Sequence, residues 1–196
     1  MTIRSWVTLF WTTLFIGSFG GMLAGVYLQM TDQEVIFFGG AAAGYNLLVM
    51  GLAGGTISIL SQMGFFAYLS LRFIAVSIFR QKYMWNILQI AIIIVAIFDS
   101  FYLRYDGEHL GAYLIFPITV LIIGLVVSFI KVKQSNKSAF IPSLFFTVGA
   151  TIIEAVPALK LGNSASTFFM MVPLMACNVW QLLLLPRLLK GKKELA

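Results

Sequence analysis

The sequence predicts an all-α polytopic membrane protein with six transmembrane helices and both termini in the cytoplasm. Three observations predict it. Of 196 residues, 60% are hydrophobic and only 10% are charged, against roughly a quarter charged in a soluble domain. Six apolar stretches recur, each near the roughly 20 residues that a helix needs to cross a hydrocarbon core about 30 Å thick. The cations are sorted along the chain. Arg4, then Arg72, Arg80 and Lys82, then Lys131, Lys133 and Lys137, then Arg187, Lys190, Lys192 and Lys193 fall at alternate ends of these stretches, and only Arg104 and Lys160 fall at the others. Short cytoplasmic loops retain Lys and Arg, so the alternation sets both helix number and orientation. The net charge of +6 is thereby a topology signal, and nucleic acid is not an expected partner.

The chain reads as one integral membrane domain over 1–196, with spans at about 6–28, 45–66, 84–103, 113–130, 140–159 and 166–185. The first apolar run is longer than the 7–15 residues of a signal-peptide core, which makes it a full span. It carries Gly17, Gly21 and Gly25 at four-residue spacing, and Gly51, Gly54 and Gly55 continue the pattern in the second. Such seams let helix backbones approach closely, either within this protein or against a partner's helix. The intervening loop holds Asp32 and Glu34 without a Lys or Arg and belongs outside. The second helix has the composition to run on to Phe79, with Arg72 snorkelling near the inner surface. The third span ends outside in Arg104, Asp106, Glu108 and His109, and the fourth leaves through the polar inner loop 131–137. Pro142 occupies the first turn of the fifth span, where a missing N–H costs least, and Pro157 should kink or stop its end. Pro173 lies inside the sixth span, and Pro186 and a basic tail follow it. Trp6, Trp11, Trp85, Tyr102, Tyr105 and Tyr113 near the span ends match interfacial aromatic belts.

Polar side chains inside spans point to function or to interhelical bonding. At 1.5 Å per residue, Asp99 lies about 21 Å and Glu154 about 25 Å above the inner edge. With Arg104 and Lys160 just beyond, they form an expected outer polar group: an ion-pair cluster, or a site for a ligand, ion or signal. Ser58, Gln62, Gln89, Asn178 and Gln181 form an expected inner layer at depths of about 10–15 Å. Ser58/Gln62 and Asn178/Gln181 each share a helix face. No catalytic residue, metal site or cofactor is expected. His109 with Asp106 and Glu108 is a poor ligand set. Cys177 lies inside a span with no second cysteine to pair with.

Four stretches carry a resemblance: residues 61–69 (SQMGFFAYL), 98–105 (FDSFYLRY), 140–146 (FIPSLFF) with 154–159 (EAVPAL), and 176–183 (ACNVWQLL). In these the chain resembles the KinB-signalling pathway activation protein family of endospore-forming bacteria. The resemblance implies a six-span protein of the bacterial plasma membrane that promotes signalling through a sensor histidine kinase feeding sporulation, and it carries over no catalytic residue. The expected partners are the lipid bilayer and such a kinase, contacted through transmembrane helices. Two alternatives stand beside it. A small solute-binding subunit of vitamin-importer type would use the outer carboxylates for a small-molecule ligand. An intramembrane hydrolase would use Asp99 and Glu154.

Overall fold

Where lipid replaces water, a backbone must satisfy its own polar groups, and a helix does so within one segment. The computed structural model describes residues 3–31, 43–79, 82–104 and 110–190 and contains six helices long and apolar enough to cross a membrane. They are α1 (Ile3–Thr31), α2 (Ala43–Ile78), α3 (Lys82–Tyr102), α4 (Leu110–Gln134), α5 (Lys137–Lys160) and α6 (Ser164–Lys190). α1 packs antiparallel to α6: Cys177 meets Thr13, Pro173 meets Gly20 and Phe168 meets Tyr27. It also packs antiparallel to α2, with Gln62 near Phe10 and Met50 against Gly25. The described start of α1 and end of α6 therefore share one end of the bundle, called here the terminal end. Arg4, Arg72, Lys82, Lys131, Lys133, Lys137, Arg187 and Lys190 lie on the helix segments at that end, and Arg104 and Lys160 lie at the other. The cation sorting along the sequence is thus a sorting in space.

The α1–α2 interface is backbone against backbone. A Cβ on Gly21 would stand 2.6 Å from the Gly54 Cα, and one on Gly17 would stand 2.9 Å from the Gly54 carbonyl oxygen. Gly51 accepts the end of Met22, and Gly25 accepts Met50. The seam of Gly17, Gly21, Gly25, Gly51 and Gly55 is filled by this chain's own helices, which leaves its glycine face no room for a partner's helix.

α2 runs on to Ile78, as its composition predicts; at 36 residues it is about 54 Å long, more than a core about 30 Å thick requires. Two features differ from the sequence expectation. First, α5 is composite: a 3-10 turn at Lys137–Ala139, an α-turn at Phe140–Leu144, a π segment at Phe145–Ala150 and an α-helix at Thr151–Lys160. Second, the prolines interrupt less than expected. α5 continues past Pro157 to Lys160. It ends where Gly162 takes a left-handed φ of 66°, the usual helix C-terminal device. Asn163 then accepts the Ala165 N–H at 2.8 Å and caps α6.

α6 continues through Pro173 and Pro186. Proline has no N–H for the carbonyl four residues back, which for Pro186 is Leu182. The Lys131 Nζ of α4 donates to that same Leu182 carbonyl, and Lys131 is buried there. The fourth helix thereby satisfies the acceptor that the sixth leaves open. Lys131→Met should destabilise the protein by about 1–3 kcal/mol, the cost of an unsatisfied buried acceptor. In a Pro186→Ala background, where the substituted alanine supplies the missing N–H, the cost should shrink. Unfolding midpoints of the two singles and the double in detergent–SDS mixtures check this.

Candidate functional site

Halfway along the bundle, α2, α5 and α6 face one another with polar side chains. α2 offers Ser58, Ser61 and Gln62, α5 offers Thr151 and Glu154, and α6 offers Asn178 and Gln181. All except Glu154, which is half-buried, are buried. The Ser61 hydroxyl donates to Asn178 Oδ1 at 2.7 Å. Asn178 Nδ2 donates to Thr151 Oγ1 at 2.9 Å and to Glu154 Oε2 at 3.1 Å. Gln181 Nε2 donates to Ser61 Oγ at 2.9 Å. Asn178 is the hub: its amide is both acceptor and double donor, and it ties all three helices together. Gln62 Nε2 reaches Ser58 Oγ at 3.3 Å on the α1 side. A buried polar group costs several times less when bonded than when orphaned, so these bonds fix the register of the three helices.

Glu154 enters this network in place of the outer group expected for it. The physical reason is side-chain direction. Helical side chains point back toward the N-terminus of their helix. α5 starts at the terminal end, so the Glu154 carboxyl reaches down toward Asn178, below the level of its own Cα. The space it enters is made by Gly64 of α2, where any Cβ would coincide with Glu154 Oε1. Oε1 itself is buried without a hydrogen-bond partner among the described residues. Gly64→Ala should therefore expel the carboxyl and weaken the fold by about 1–3 kcal/mol, as thermal unfolding in detergent would show.

The remaining outer residues do not join Glu154. Asp99 is exposed on α3, and Lys160 is exposed at the end of α5. Arg104 donates to the Ser164 hydroxyl at 3.3 Å and lies 5.4 Å over the Phe116 ring. It stands at the mouth of a cleft of about 700 Å³ between α4 and α6, whose lining includes neither Asp99, Glu154 nor Lys160. That cleft does not gather the outer carboxylates: Asp99 faces outward on α3, while Glu154 turns into the network with Asn178. Gln89 also departs from expectation. It leaves the inner layer and donates to the Tyr68 hydroxyl at 3.4 Å, which in turn donates to the Pro142 carbonyl at 3.3 Å. Asp106, Glu108 and His109 lie outside the described residues. Among the described residues no group of three or more His, Cys, Asp or Glu is placed to hold a metal.

Sequence reasoning missed Ser61, Thr151 and Gly64. Each passes for ordinary helix filler, and only the packing of α2 on α5 and α6 gives it a role. The π segment of α5 is invisible in the sequence too. It ends one residue before Thr151 and packs Phe146 edge-on against Phe65 at 5.3 Å. π segments inside α-helices recur at functional sites.

A family model described as KinB-signalling pathway activation in sporulation matches residues 17–188. The chain belongs to this family, KbaA. The match spans every residue of the polar network. A KbaA relative, the KinB-signaling pathway activation protein of Bacillus subtilis (strain 168), is 36% identical over 194 residues, with 95% of this chain and 98% of the relative covered. The description of the KbaA family is that of a signalling activator. No solved structure matches the chain.

Proposed function

We propose that this protein is a six-span protein of the bacterial plasma membrane, with cytoplasmic termini, that activates a sensor histidine kinase of the KinB type on the route to sporulation. Membership of the KbaA family across most of the chain carries this reading. The bundle's outer surface supports the membrane placement. Large apolar side chains cover it on α1, α2, α3 and α4, and a continuous surface of that kind is held in lipid or against a partner.

Activation needs contacts that differ between two states of the kinase. With the glycine seam filled, the contact falls on outward faces. The outward face of α1 presents Trp11, Phe15, Phe19 and Tyr27, a row of rings at near-helical spacing suited to a transmembrane helix of the kinase. The polar network holds α1's neighbours rigid behind that row. A photocrosslinking amino acid at Phe15 (68% exposed) or Phe19 (63% exposed) should capture the kinase in sporulating cells, and the same group at buried Leu9 should not. Capture from neither position, with kinase phosphorylation unchanged when this protein is deleted, would defeat the proposal.

A further inference from the structure

A second polar feature lies at the terminal end, away from the network. A cavity of about 210 Å³ opens between the ends of α2, α4 and α6 and the start of α5. Arg72 and Lys131 line it, together with Ser135, Asn136, Ser138 and Tyr68. No Asp or Glu is in the lining, so two cations face a small space without a carboxylate. Lys131 spends one of its three donors on Leu182, and Arg72 is on an exposed stretch of α2 with its fork of donors available for an anion. The start of α5 faces the same space. There the Ser138 hydroxyl donates to the Asn136 amide oxygen at 2.6 Å. The volume is below the roughly 300–1,000 Å³ of pockets for drug-sized solutes, which fits a small charged group better than a whole metabolite.

We propose that this cavity binds a phosphate group, presented by an anionic lipid head group or free in solution. Its position favours the head group. The helix ends here are those that the cation sorting assigns to the inner surface, and basic pockets between transmembrane helices on that side take phosphorylated head groups. Occupancy would tie the α2 overshoot to the α4–α5 turn, and so couple the anionic leaflet to the helix that carries Glu154. The inference rests on the membrane placement proposed above, which cysteine labelling decides separately.

The test uses the full chain purified in a neutral detergent and reads the thermal unfolding midpoint. The probes are short-chain phosphatidylglycerol, phosphatidylcholine of the same chain length, and inorganic phosphate. Phosphatidylglycerol should raise the midpoint, phosphatidylcholine should not, and Arg72→Gln should weaken the half-saturating concentration about fivefold. Arg72→Lys, which keeps the charge but loses the planar fork, provides a second variant if Arg72→Gln fails to fold, and it should weaken binding in the same direction by a smaller factor. If inorganic phosphate reproduces the shift, the ligand is free phosphate. If only the lipid does, it is the head group. Equal half-saturation for wild type and variant, or equal shifts with both lipids, would overturn the proposal.

Discussion

Gly54→Leu is expected to separate α1 from α2 and to destabilise the protein by about 3 kcal/mol or more, at or beyond the upper end of overpacking costs. A Cβ at residue 54 would overlap the Gly17 carbonyl and lie 2.8 Å from the Gly21 Cα. Both are backbone atoms of a helix, so no rotamer change relieves the clash. The damage should spread, because α6 packs on the same face of α1 through Pro173 against Gly20. Gly44→Ala is the control. Nothing lies within 4 Å of a Cβ there, and alanine should leave stability unchanged or raise it by up to about 1 kcal/mol. Unfolding of purified protein in increasing SDS, followed by tryptophan fluorescence, separates the two outcomes. Similar behaviour of the two variants would mean that the seam does not hold the bundle.

Asn178→Leu should have the second large effect, about 2–3 kcal/mol, because it orphans several buried groups at once. The Ser61 hydroxyl loses its acceptor, and Thr151 and Glu154 both lose the Asn178 donor. A single interhelical hydrogen bond in a membrane protein averages only about 0.6 kcal/mol, so a loss several times larger marks a network. A double-mutant cycle between Ser61→Ala and Asn178→Ala should return a coupling of about 1 kcal/mol; a coupling near zero would reduce the network to independent contacts. Glu154→Gln keeps an acceptor for Asn178 and should retain most of the stability that Glu154→Ala loses. If Glu154→Gln nonetheless loses kinase activation, the carboxyl acts in signalling as well as in packing.

The helices are legible in the sequence because their signals are redundant. Apolar run length and the distribution of thirteen cations each point to six. The side chains of the network are half legible. Ser58, Gln62, Asn178 and Gln181 stand out as amides and hydroxyls in apolar runs, and Asn178 and Gln181 meet through Ser61, a residue the spacing does not single out. Counting residues puts Glu154 in the wrong company because it locates a Cα. A long side chain on an upward-running helix delivers its carboxyl a turn lower. Gln89 is misplaced for a related reason: equal depth does not bring two helices into contact, and its neighbour is Tyr68. Lys131 reads as one more inner-surface cation until Pro186 is seen to leave Leu182 without a helical donor. That relation is written in two residues 55 positions apart, which only the packing of α4 on α6 connects.

The proposed function requires a chain threaded through a bilayer with its termini and the α4–α5 turn in the cytoplasm. Cys177 is buried and is the chain's one cysteine, so the native protein gives little background to a thiol reagent. Single cysteines at exposed Ser135 in the α4–α5 turn and at exposed Leu161 in the α5–α6 turn then report side directly. With a membrane-impermeant maleimide on intact cells stripped of wall, Leu161→Cys should label and Ser135→Cys should label only after lysis. Labelling of Ser135→Cys in intact cells, with Leu161→Cys protected, would contradict the account.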